Sequence, residues 1–136
     1  MTPELTVLAL AALLHGAQLM LFAVPANREL GTGKTLSPRD PDRLAKPLLE
    51  QVSTRTGRLA RAYGNHNEAL LLFVVAVILV SLAEAGTGFT AAMAWTYLAS
   101  RILYVPAYAF GWVPWRSVFF GLGWLASFAM ILATLI

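Results

Sequence analysis

Residues 58–80 read RLARAYGNHNEALLLFVVAVILV, a polar and charged segment that runs without a break into an apolar one. The apolar part, Ala69 to Ala83, has 15 residues, about 22 Å as a helix. That is short of a hydrocarbon core of ~30 Å. No proline interrupts the residues before it, and Gly64 is the one weak helix former among them. The helix is therefore expected to continue backwards through Glu68, Asn65 and Arg61, as a span of about 60–84. On such a helix these three residues fall within about 60° of one another and form one polar stripe, with His66 and Asn67 pointing elsewhere. Charge facing lipid is costly, so the stripe is expected to face the bundle interior, a neighbouring subunit or a wet cavity. Its simplest role is a buried ion pair that fixes helix packing.

The rest of the 136-residue chain agrees with a membrane setting. Hydrophobic residues make up 58% and charged residues 12%, about half the charge of an ordinary soluble domain, and the mean hydropathy is +0.66. Further apolar segments at about 4–26, 89–110 and 116–136 complete four spans. The expected fold is an all-α integral membrane protein, a four-transmembrane-helix bundle forming a single domain over 1–136. Eight of the ten basic residues lie between Arg28 and Arg61. The loop at about 27–58 is thus expected in the cytoplasm, with both termini outside, and the net charge of +3 does not point to nucleic acid. The opening MTPELTVLAL lacks the basic start of a signal peptide, so the first segment reads as a retained span. With no cysteine in the chain, disulfides, thiol catalysis and cysteine-ligated metal are excluded. Within the loop, SPRDPDRL predicts a short surface helix from about Asp42 to Val52, capped by Asp40 or Asp42.

Two further stripes carry chemistry. Tyr97, Arg101, Tyr104 and Tyr108 are spaced four, three and four apart. Arg101 falls about 12 residues into its span, near mid-membrane, where an arginine needs a partner. Glu68 is the expected counter-ion. VPWRS places Arg116 and Ser117 at the start of the last helix. There backbone N–H groups, a guanidinium and a hydroxyl make an anion site, or the arginine serves as an inner-side anchor. His15 and Gln18 are expected to hydrogen-bond between helices. Together the stripes describe a cationic pocket lined by phenols, reached by water on one side and lipid on the other. It suits a small soluble anion meeting an apolar molecule.

These motifs, in this order, resemble the MAPEG family, the membrane-associated proteins of eicosanoid and glutathione metabolism, in its bacterial form. The shared features are the arginine, asparagine and glutamate at Arg61, Asn65 and Glu68, the helix-three Arg101 with Tyr108 seven residues on, and the Arg116-Ser117 pair. The resemblance implies a homotrimer in a bacterial inner membrane, with glutathione as co-substrate between subunits near the cytosolic face. Activity would be that of a transferase or peroxidase, the thiolate attacking a lipophilic electrophile. Arg116 and Ser117 would be catalytic; Arg28, Arg61, Asn65, Glu68, Arg101, Tyr104 and Tyr108 would bind glutathione; no metal is expected. The chain departs from the prostaglandin-handling members at Gly64 and Tyr104, where they carry arginine and histidine. Two other readings fit parts of the pattern. A non-enzymatic trimeric bundle that binds lipid or a partner protein would use the stripes structurally. A small multidrug exporter needs a carboxylate midway along its first helix, and here the nearest acid is Glu4 at the edge.

Overall fold

The computed structural model describes all 136 residues, and every regular element is helical. These are α1 (Pro3–Leu30), a single turn α2 (Thr32–Thr35), α3 (Thr54–Leu82), α4 (Gly88–Ala109) and α5 (Trp115–Ala133), with a 3-10 turn at Leu48–Glu50. Helices α1, α3 and α5 are long and apolar enough to cross a membrane, with mean hydropathies of 2.1, 1.8 and 1.6 over their most apolar 18 residues. Exposed Leu13, Leu71, Leu82 and Leu125 are each at least 67% accessible. That much bare apolar surface calls for lipid or protein around it. The chain is an integral membrane protein. Helix α4 has 22 residues, about 33 Å in length, but Arg101 and three tyrosines reduce its apolar character.

The long helices alternate in direction. Helices α3 and α4 pair, with α1 packed across them on one side and α5 on the other. Phe73 of α3 stacks flat on Tyr97 of α4 at 3.9 Å, at the centre of a core that also takes Val7, Ala11, Ala76, Val77, Ala126 and Met130. The close approach of α5 to α4 depends on Gly123. A Cβ there would lie 2.7 Å from Ser100 Oγ and 3.4 Å from Arg101 Cδ.

Each end of the bundle is tied by polar contacts. At one end Glu4, 2% exposed, accepts a 2.6 Å hydrogen bond from Thr90 Oγ1, and Thr87 and Thr90 cap α4 reciprocally. At the other, Ser53 caps α3, and the Glu29 carboxylate accepts from Ser53 N at 3.0 Å and Thr56 Oγ1 at 2.9 Å. An anion at that helix start is favoured by the exposed N–H groups and the helix dipole. Arg58 lies over Gly111, which has φ +67°, and reaches the Ala109 carbonyl at 3.4 Å.

Two expectations need correction here. Helix α3 begins at Thr54, six residues before the sequence reading placed it, because Ser53 and Glu29 cap it there. No helix forms from Asp42 to Val52. The Asp40 carbonyl accepts from Arg43 and Leu44 N–H in an isolated turn. A helix continuing through Pro47 would lack that residue's N–H and clash one turn back, and Lys46 before it is steered away from helical geometry.

Gly123→Val is expected to lower the stability of the detergent-solubilised protein by about 1–3 kcal/mol, the usual cost of overpacking. Gly121→Ala, where a Cβ meets nothing within 4 Å of the chain, is the matched control and should lose little or nothing in the same thermal unfolding assay.

Candidate functional site

At the end of the bundle that carries the long loop, α3, α4 and α5 border an open cavity of about 290 Å³ lined by Asn65, Tyr104, Tyr108, Arg116, Ser117 and Phe120. Helical spacing explains the lining. Tyr104 and Tyr108 are one turn apart on α4, and Arg116, Ser117 and Phe120 span the first turns of α5. Asn65 Nδ2 donates to the Tyr104 hydroxyl at 2.6 Å. Arg61 Nε donates to the Tyr108 hydroxyl at 3.2 Å. The Tyr108 ring lies between two guanidinium groups, Arg61 at 5.9 Å and Arg116 at 5.1 Å. No carboxylate lines this space. The result is a cationic cavity with phenol, hydroxyl and amide groups, chemistry that complements an anion.

The structure separates the remaining candidates from it. Arg101 is 0% exposed and sits behind the cavity wall, its guanidinium 4.3 Å from the Tyr104 ring centre and 5.7 Å from that of Phe120. It is not paired with Glu68, and its Nε, Nη1 and Nη2 have no hydrogen-bond partner. Glu68 is exposed on the outer face of α3, because it lies about 60° round the helix from Asn65, on the side away from α4. Arg28 is exposed in the last turn of α1, outside the cavity. The backbone contribution expected at α5 is also absent. The N–H groups of Arg116, Ser117 and Val118 donate to the Trp112 and Pro114 carbonyls, so that end of the site acts through the Arg116 and Ser117 side chains.

Phe120 is a lining residue that the sequence reading missed. Its position three after Ser117 and four after Arg116 was the available signal. His15 does bridge helices, 3.2 Å from the Tyr63 hydroxyl, whereas both polar atoms of buried Gln18 lack a partner. His66 is fully buried, turned from the stripe toward α1, with its ring 5.7 Å from that of His15. No group of three or more His, Asp or Glu side chains is placed to hold a metal ion.

Beside the cationic cavity lies a more apolar one of about 630 Å³, lined by Leu103, Gly111, Trp112, Val113, Trp115 and Phe119. Leu103, Trp115 and Phe119 are the chain neighbours of Tyr104, Arg116 and Phe120, so the same helical turns present polar groups to one cavity and apolar groups to the other.

The chain was compared with known proteins. No curated protein and no solved structure matches it. The sequence model described as MAPEG family matches residues 6–136, nearly all of the chain, and takes in every helix that builds the two cavities. The protein belongs to the MAPEG family.

Proposed function

We propose that this protein is a membrane-embedded, glutathione-dependent transferase or peroxidase-like enzyme, working at the cytoplasmic side on a lipophilic electrophile. One observation supports the reading: Tyr108, Arg116 and Ser117 line one cavity with no carboxylate among its lining residues, and Arg61 bonds the Tyr108 hydroxyl. Glutathione brings two carboxylates and one ammonium, so a cavity lined by Arg116 and no acid, with Arg61 bonded to its Tyr108, complements that net negative charge. Arg61, Asn65, Tyr104 and Tyr108 hold the peptide. Arg116 and Ser117 face its sulfur.

A free thiol near pKa 8.5 is only a few per cent ionised at neutral pH, and a nearby guanidinium with a hydroxyl donor stabilises the thiolate. The proton leaves to water. The thiolate sulfur then forms a bond to the electrophilic atom, and the electron pair of the bond that breaks departs with the leaving group. The apolar cavity alongside, with Trp112 and Trp115 at its rim, admits the lipid-dissolved partner. The failure of Arg101 and Glu68 to pair counts against a purely structural role for the stripes.

We further infer four spans and a homotrimer, with the basic loop in the cytoplasm of a bacterial inner-membrane protein. Helix α4 is the fourth span, its polar residues turned into the bundle. Glu68 is left bare on α3 beside Leu71, 70% exposed, and a carboxylate facing lipid is disfavoured. A second copy covers that face and brings Glu68 and the neighbour's Arg28 to the glutathione.

Two outcomes check this reading. Saturating glutathione, at about 100 times its dissociation constant, should add about 2.7 kcal/mol of stability, read as a rise in the unfolding temperature of the detergent-purified protein. Arg116→Ala should abolish that rise; an unchanged wild-type curve would move the assignment to a non-enzymatic bundle. Separately, the cysteine-free chain allows a single Leu71→Cys substitution on the exposed α3 face. Mild oxidation should link copies into covalent dimers, and a chain that stays wholly monomeric on denaturing gels would rule out an α3-centred trimer.

A further inference from the structure

Arg101 presents an unbalanced charge that the glutathione reading does not use. The guanidinium is fully enclosed by its own chain. Its face is covered by the Tyr104 ring, but N–H groups donate in the plane of the guanidinium, so stacking leaves them free. All three nitrogens are unpartnered, as is the buried Tyr97 hydroxyl one turn away on α4. His66 is fully buried on the adjoining helix α3.

None of the seven acids of the chain neutralises this charge. Glu29, Asp40, Asp42, Glu50, Glu68 and Glu84 are exposed. Glu4 is buried but held by Thr90, eleven residues from Arg101 on α4 and therefore about 16 Å away along the helix. A carboxylate from another copy has no path to a side chain that its own helices enclose. The Tyr97 hydroxyl oxygen and a neutral imidazole can accept hydrogen bonds, but no anionic group balances the guanidinium. An ion taken out of water is tolerated when a counter-charge satisfies it in place.

We propose that Arg101 and Tyr97, flanked by His66, bind a small monovalent anion of halide size inside the bundle, behind the Tyr104–Phe120 wall of the cavity. The anion lies at the edge of the guanidinium, accepts from its free N–H groups and from the Tyr97 hydroxyl, and leaves the Tyr104 face stacked. At Gly123, α5 passes close against Arg101 and Tyr97 and covers them from that side. The site is internal and structural. Glutathione in the adjoining cavity meets Arg61 and Arg116 instead.

The test is thermal unfolding of the full chain in detergent, titrating sodium bromide against sodium gluconate at constant total sodium, each with and without glutathione. The expected result is a saturable bromide-dependent rise of about 3 °C or more, lost in Arg101→Met and diminished in Tyr97→Phe. A rise that never saturates, or that Arg101→Met shares, is a general salt effect and overturns the proposal. Stabilisation by glutathione with none by bromide overturns it too, assigning the counter-charge to a glutathione carboxylate that reaches past Tyr104 while leaving the proposed activity standing. If Arg101→Met does not fold, crystals of the unaltered protein grown in bromide decide the matter. An anomalous peak at the edge of the Arg101 guanidinium supports the site, and its absence there refutes it.

Discussion

A fixed positive charge midway along α4 has to be accommodated, and much of the bundle's interior is arranged around the way this is done. Transferring such a group from water costs several kcal/mol even after relaxation, whereas one stacked aromatic ring returns about 0.5–2 kcal/mol. The ring contact between Arg101 and Tyr104 is therefore less important as a source of stability than as a constraint on Tyr104. With one face against the guanidinium and its hydroxyl held by Asn65, Tyr104 has little rotational freedom. It becomes a rigid partition between the interior of the bundle and the cavity. The position of Asn65 on α3 is set by the same contact, so the α3–α4 pairing and the cavity wall share one origin.

Tyr108, one turn further on, is organised differently. It stands between two guanidinium groups, one from α3 and one from α5, in a space with no acid. Mutual repulsion of those groups is relieved by the electron-rich ring between them, and a ligand with negative charge relieves it further. Binding at this point is thus coupled to the spacing of α3 and α5. The α5 groups act through side chains alone, the neighbouring N–H groups being engaged by Trp112 and Pro114. What this end of the site offers a ligand is therefore side-chain groups, with no backbone cradle.

Much of this was legible in the sequence, and the exceptions share a cause. Hydropathy and the shortness of Ala69–Ala83 required α3 to run backwards through its polar residues, and helical spacing put Tyr104 and Tyr108 on one face. These are local constraints, carried by the backbone period. The pairing of Glu68 with Arg101 failed because a polar stripe about 60° wide does not reveal which of its edges meets the next helix. The helix from Asp42 does not form because Pro47, without an N–H, breaks the hydrogen-bond ladder that the capping pattern would start. Arg28 is a candidate by resemblance alone, and in this chain it lies exposed at the end of α1, outside the cavity. Phe120 was overlooked because an aromatic residue in an apolar helix carries no signal of its own without the facing elements.

The Glu29 carboxylate, bonded across to Ser53 and Thr56, makes the basic loop a ring closed at its base. Once the ends of a segment are pinned together, lengthening it costs entropy only as the logarithm of its size. Between the pins the loop touches the helices at few points, Thr35 on Asn27 of α1 and the Leu48–Glu50 turn on α3. Apart from the buried Leu44 and Leu48, this is the stretch that can be lengthened or given new charge without moving Asn65, Tyr108 or Arg116, provided that an acid remains at the end of the first helix to close the ring.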